Sequence, residues 1–284
     1  MKILKKPIGI FTISWLLTIA CDDIVQIEIP ANENLIVVEG WVTDLPGPQS
    51  ITITQSSPFS STEPVQTIHD ASVTVYNQFN EAHPYYYQNK GTYQSLPGFQ
   101  GNPNDVYRVE IILANGDTLL SSPEFLIEVS PIDSLGYNWY LRERTEPPRI
   151  YEQVYYPVAF ASDPPDQKNY YEWKVYKNDS LFTGIEKLTL IDDKLFNGNS
   201  YQNDFRLFDF QKKDTIRIEI KSLSERAFDF LTAFKFQVTS LGTRTGTSPS
   251  PLKGNLINKN APHIRVLGYF GATSIKSEET IIQP

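Results

Sequence analysis

The chain has 284 residues and a formal net charge of −8, with 40% hydrophobic and 20% charged residues. That balance excludes a disordered chain and leaves room for one large or two ordinary domains. An acidic surface repels nucleic acid and anionic lipid headgroups, which excludes DNA and RNA as partners and requires any membrane attachment to come from something other than a basic patch. With one cysteine, Cys21, there is no intrachain disulfide, and 16 Tyr, 16 Phe and 20 Pro point to a β-rich fold stabilised by burial.

Residues 1–20 read as a secretory signal: Lys2, Lys5 and Lys6 give a basic start, and 8–19 are mostly apolar. The apolar run is shorter than the roughly 20 residues a bilayer helix needs. Ala20-Cys21 resembles the lipobox of bacterial lipoproteins, although Thr18 stands where leucine is usual. The resemblance implies that Cys21 is diacylated and becomes the mature N-terminus; the plainer alternative is an ordinary signal peptide with a coincidental cysteine. Asp22 and Asp23 resemble the export signal of Bacteroidota surface lipoproteins, which implies an outer-membrane, lipid-anchored protein facing the cell exterior. Residues 21–34 then form the lipid anchor and tether.

From residue 35 the chain alternates. Segments 35–43, 50–54 and 72–76 place Ile and Val on one face and polar residues on the other, as half-buried strands do. After 85–88 and 91–93, segment 106–113 alternates again, and Asn115-Gly116 joins it to 118–121 as a hairpin turn. The spacing predicts an antiparallel Ig-like or carboxypeptidase-regulatory-like sandwich over 35–130. Ser130-Pro131 marks the expected start of a second β domain, 131–284. Its strands are 154–161, 170–176, 188–191 and 215–221, with 264–270 and 273–282 closing it. One amphipathic helix is predicted at about 222–239, with Ser222 and Glu225 as a capping box, Ala227, Leu231, Phe234 and Val238 packing on the sheet, and Gly242 as its stop. Residues 243–255 read as an exposed loop. The fold class is therefore mostly β, two antiparallel sandwiches with one helix.

The stretch LIVVEGWVTDLPGPQSITITQSSPF, then Pro131 to Leu135, SLSERAFDFL, SPSPLKGNL and VLGYFGATS resemble, in that order, the domain of unknown function 4249 family of Bacteroidota lipoproteins. SPSP-x-x-GN and LGYFGA are the most specific parts. The resemblance implies no assigned chemistry, and genes of the family often lie beside TonB-dependent receptors.

Signatures of catalysis are sparse. His69, His83 and His263 are isolated, and no zinc, P-loop or nucleophile-elbow motif occurs. His69-Asp70 reads as turn residues rather than part of a triad. Residues 163–166 and 192–193 offer carboxylates but not the alternating pattern of a calcium loop. The chain is read as a non-enzyme without cofactor or metal. Consecutive aromatics project to both faces of a strand, so some rings face outward, either to stack on sugars or fill a protein interface or as a second layer of packing under loops or against the other domain. Tyr137, Trp139, Tyr140, Tyr155 and Tyr156, with Thr243, Ser248 and Pro249 of the loop, are the candidate interface, for a TonB-dependent receptor or for a glycan or peptide ligand. Thr118, Ser134, Ser180 and Thr215 lie in Asp-Ser/Thr-apolar tripeptides that look like Bacteroidota O-glycosylation acceptors, Ser180 and Thr215 the better two. The function expected is a non-catalytic accessory subunit of a TonB-dependent transport system; a structural or adhesive surface lipoprotein is the alternative, and an unrecognised enzyme a third.

Overall fold

Period-two alternation builds the first half of the chain. In the computed structural model, which describes residues 35–57, 64–144, 150–240 and 252–284, strands β1 (Ile36–Thr43), β2 (Ser50–Gln55), β3 (Ser72–Asn77), β4 (Ala82–Asn89), β5 (Thr92–Ser95), β6 (Val106–Ile112), β7 (Thr118–Ser121) and β8 (Glu124–Phe125) follow one another. Asn115-Gly116 makes the β6–β7 turn as expected: Gly116 has φ +88°, and the Asn115 side chain accepts the Asp117 N–H. Next come β9 (Ile132–Arg144), β10 (Ile150–Ser162), β11 (Tyr170–Lys177), β12 (Ser180–Leu181), β13 (Thr189–Asp192), β14 (Ser200–Asp204) and β15 (Thr215–Leu223). Helix α1 (Glu225–Ser240) precedes β16 (Leu256–Asn258), β17 (Leu267–Thr273) and β18 (Ile275–Ile281). The fold is mostly β, with several antiparallel sheets and one α-helix among the described residues.

The first sheet runs β16-β7-β6-β3-β4-β5-β2-β1-β17, with β8 beside β6. Its inward residues, among them Val38, Val42, Ile51, Val75, Val109 and Phe270, share one core. The sheet therefore curls round a single interior, and its two ends approach each other where Asn255, just before β16, bonds Phe270 of β17. A second core lies between the sheet β14-β10-β9 and the sheet β12-β11-β15-β18, which also carries β13; Ala159, Trp173, Val175, Ile216 and Ile218 fill it. On β15, Ile216, Ile218 and Ile220 face inward as their spacing predicts.

The structure corrects the C-terminal reading. Residues 256–273, expected in the second domain, belong to the first sheet: β17 pairs parallel with β1, from Val37–Leu267 to Thr43–Thr273, while β18 pairs antiparallel with β15. A sandwich complete within 35–130 is thus not what forms, because strands from far downstream supply both ends of its sheet. Glu33–Pro284 makes one compact unit. The chain steps between cores at Ser274, whose N–H donates to Ser222 Oγ and whose hydroxyl donates to Asp44 Oδ2 at 2.6 Å.

The cap also differs. Ser222 lies on β15, buried, and the helix starts at Glu225 with Ser224 as N-cap, its Oγ accepting the Ala227 N–H at 3.1 Å. Of the expected packing stripe, Ala227 is buried and Leu231 half-buried, while Phe234 and Val238 are exposed. The expected stop at Gly242 lies outside the described residues.

Candidate functional site

Two features stand out: an apolar cleft under α1 and a projecting β-arm. The cleft floor is the outer face of β2, β1 and β17. Alternation that sends Val38 and Val42 into the core sends Val37, Glu39, Trp41 and Thr43 outward. In register, Glu39 lies between Thr52 and Tyr269. The wall is α1, with Phe230, Leu231, Phe234 and Val238, and the cleft has a volume of about 920 Å³.

The helix is held at its first turns by several side chains and farther along by Lys235, whose Nζ donates to the Leu188 carbonyl. Ser224 donates to Glu124 Oε2 at 2.6 Å, Arg226 pairs with the same carboxylate, and the Tyr170 hydroxyl donates to Glu225 at 2.8 Å. Phe228 packs on Tyr170 and Phe230 on Tyr269, each pair with ring centroids 4.9 Å apart. Glu124 is fully buried yet well partnered, since Asn255 Nδ2 and the Tyr269 hydroxyl also donate to it. Burial beside this carboxylate pushes the Tyr269 hydroxyl well above the ordinary phenol range. Farther along, Phe234, Phe236 and Val238 are exposed, so the helix stands off the sheet and leaves the cleft open.

Trp41 forms the middle of the floor. It stacks with Tyr269 at 6.0 Å, lies over the Cα of Gly271 and has Lys221 Nζ 5.1 Å from its ring. Lys221 is buried and paired with Glu172 at 3.3 Å, so its charge is already met. One wall of the cleft is apolar, from α1, Leu267 and Tyr269; the other carries the hydroxyls of Thr43, Ser50 and Thr52. Glu39 sits at the seam between them, exposed, and makes no hydrogen bond or ion pair with the described residues.

The arm is the β9–β10 hairpin. Beyond Tyr155, where an isolated bridge joins Phe210, neither strand has a further strand neighbour among the described residues. Its distal half exposes Trp139 (56%), Leu141 (59%) and Tyr151 (59%). Trp139 and Leu141 point to one side, opposite Tyr155 and Gln153, and Tyr151 stands on that side opposite Glu143. The other side is polar: Arg142 bonds Glu152 and Asp209, Arg144 Nε donates to Glu152 at 2.7 Å, and Tyr140 donates to Asp209 at 3.1 Å. Hydrogen bonds from Arg142 and then Arg144 hold the Glu152 carboxyl below the usual range.

Of the residues nominated from sequence, Trp139 and Tyr140 are exposed on the arm, and Tyr137 is half-buried against Tyr155. Tyr155 and Tyr156 are both buried, which removes them from an exposed interface; they do point to opposite faces, but each face is covered there, Tyr155 by the second core and Tyr156 by Arg206 and Tyr140. Thr243, Ser248, Pro249 and Cys21 lie outside the described residues. Ser134 and Ser180 are exposed, whereas Thr118 and Thr215 are half-buried in strands. Ser180 follows Asn178 and Asp179, both at positive φ, in a tight turn. Asp163 and Asp193 are buried, accepting from Tyr171 and from the Asn169 backbone. Among the described residues no three His, Cys, Asp or Glu gather as a metal set. His69 is exposed and meets the Tyr87 ring edge-on. No described helix is long and apolar enough to cross a membrane.

Sequence reasoning missed Glu39, Glu124 and Asn255. Glu39 interrupts an apolar run in VVEGW, and Asn255 closes SPSP-x-x-GN, so both carried a signal; Glu124, in a two-residue strand, carried none. The glycines of the second specific stretch, LGYFGA, have a steric reason: Gly268 has φ +88° and lies against the Val38 carbonyl, and Gly271 lies under Trp41. No curated protein matches the chain. The family model described as domain of unknown function (DUF4249) matches residues 22–279, and the chain, covered by it over nearly all its length, belongs to that family.

Proposed function

We propose that the protein is a lipid-anchored, non-catalytic binding subunit on the outer membrane, facing the exterior and working beside a TonB-dependent receptor, with the β9–β10 arm as its docking element. The observation that carries this reading is the arm: a two-stranded projection with open edges that exposes Trp139, Leu141 and Tyr151 together on one side. Clustered aromatic and aliphatic side chains on a projection are what an interface core uses, and open strand edges invite pairing with a partner's backbone. Attachment comes from acylated Cys21, which leaves the acidic surface free of the membrane.

The test is co-purification. Extracts in mild detergent from the native host are expected to yield the chain together with a β-barrel receptor, and Trp139→Ser with Leu141→Ser to lose the receptor while the thermal midpoint stays within about 2 °C, since both side chains are solvent-exposed. Cys21→Ser is expected to move the protein from the membrane pellet to the soluble fraction. Receptor recovered equally with the double variant would remove the arm from the contact. Repeated recovery of no receptor, with surface exposure established by protease shaving, would favour the structural or adhesive reading.

A further inference from the structure

We infer that the cleft beneath α1 is a binding site for an amphipathic organic cation, its apolar body held against the helix and its ammonium group on Glu39. The inference is independent of the docking role given to the arm. A volume of about 920 Å³ lies within the range of clefts that take small organic molecules, roughly 300–1,000 Å³. Phe230, Leu231, Phe234, Val238, Leu267 and the Trp41 ring supply a continuous apolar surface. Such a surface, left uncovered by the described residues, marks a contact site.

Charge decides the class of ligand. The carboxylate set into this surface is Glu39, and it has no partner among the described residues. Of the cations nearby, Lys221 lies on Trp41 but pairs with Glu172, and Arg265 stands at the rim, where it donates to the Leu252 carbonyl at 3.1 Å. A ligand carboxylate would meet Glu39 with like charge. A ligand ammonium would meet an unpaired carboxylate beside an apolar surface, and a charge-assisted hydrogen bond is stronger than a neutral one. The hydroxyls of Ser50 and Thr52 on the adjacent strand can accept its remaining N–H groups.

The test uses the full chain carrying Cys21→Ser, purified without detergent, and isothermal titration with decylammonium and decanoate below their micelle concentrations and decanol below its solubility limit. Saturable binding of one decylammonium is expected, about tenfold or more tighter than decanoate, as one charge-assisted bond provides. Glu39→Gln is expected to abolish the preference for the cation and leave decanol unchanged. Phe234→Ser, at an exposed position, is expected to weaken all three. Absence of saturable decylammonium binding, decanoate binding equally well, or a cation preference that survives Glu39→Gln would each overturn the inference.

Discussion

The side-chain amide of Asn255 hydrogen-bonds both backbone groups of Phe270: Nδ2 donates to the carbonyl at 2.7 Å, and Oδ1 accepts the N–H at 3.0 Å. A side chain thus takes the place of a strand where the ends of the first sheet meet, and the same Nδ2 also reaches Glu124 at 3.3 Å. Asn255→Ala is expected to cost about 2 kcal/mol, because it leaves the Phe270 groups unpaired. Asn255→Asp is expected to cost about 3 kcal/mol or more, since it sets an anion against Glu124 and the Phe270 carbonyl. Urea unfolding measures both, and a loss below about 0.5 kcal/mol for the pair would show that the seam contributes little.

At Gly271 an added Cβ would fall inside the van der Waals surface of the Trp41 ring. Gly271→Ala should therefore destabilise by about 2 kcal/mol, as overpacking does. Trp41→Ala should cost about 3 kcal/mol by emptying the floor of the cleft. Together the two should cost clearly less than their sum, because the shortened residue 41 no longer meets the new methyl. Additive losses would mean that the glycine is required for another reason.

Lys221 and Glu172 face each other across β15 and β11, both buried. Burial pushes the Lys221 amine below its ordinary range, with Glu172 opposing. Glu172→Ala leaves that amine uncompensated and is expected to cost about 3 kcal/mol, whereas Glu172→Leu with Lys221→Met should come near neutral. With its folded-state pKa below that of the unfolded chain, Lys221 loses its proton first in the folded state. Stability of Glu172→Ala should therefore rise as pH rises from neutrality toward 10.5, the ordinary lysine value. A pH-independent loss would contradict the buried-charge account.

Tyr176 gives the opposite slope. Burial, and after it a hydrogen bond donated to Glu219, raise its hydroxyl to about 12. A raised phenol favours the protonated folded state, so the stability it contributes is whole below pH 10, the ordinary tyrosine value, and is lost as pH climbs from there through about 12. Tyr171, buried and bonded to Asp163, acts in the same direction. Denaturation midpoints should fall from pH 10 upward, less steeply in Tyr176→Phe. Absorbance of phenolate that titrates fully near pH 10 in the folded protein would refute it.

Local pattern made the strands legible, and contacts across long sequence separations were not. Ile216, Ile218 and Ile220 declared their inward face, and Asn115-Gly116 its turn, because alternation and positive φ are properties of neighbouring residues. Nothing in LGYFGA announces a parallel partnership with β1, since any outward-inward alternating segment fits many edges. The cap falls to Ser224 rather than to the expected Ser222 because β15 continues to Leu223, its Lys221 and Ser222 still buried. The apolar stripe of α1 is legible as a face, but periodicity cannot tell whether that face meets a sheet, as expected, or walls a cleft with Phe234 and Val238 exposed. The pairing of exposed Trp139 with buried Tyr155 on one side of the arm was hidden for the same reason: the covering comes from elsewhere in the chain.

Parallel pairing of Val37 with Leu267 has a consequence for how the molecule comes into being. Strand β1 waits through synthesis of all the intervening residues before its second neighbour exists. Closing so long a loop is entropically costly, and topologies built on such distant pairings fold slowly. Until β17 arrives, one edge of β1 and the rings around Trp41 stay uncovered, so a partly made chain is both unfinished and prone to stick to others. Residues 256–281 are thus a latch: β17 completes the β1 edge of the first sheet and β18 the β15 edge of the other.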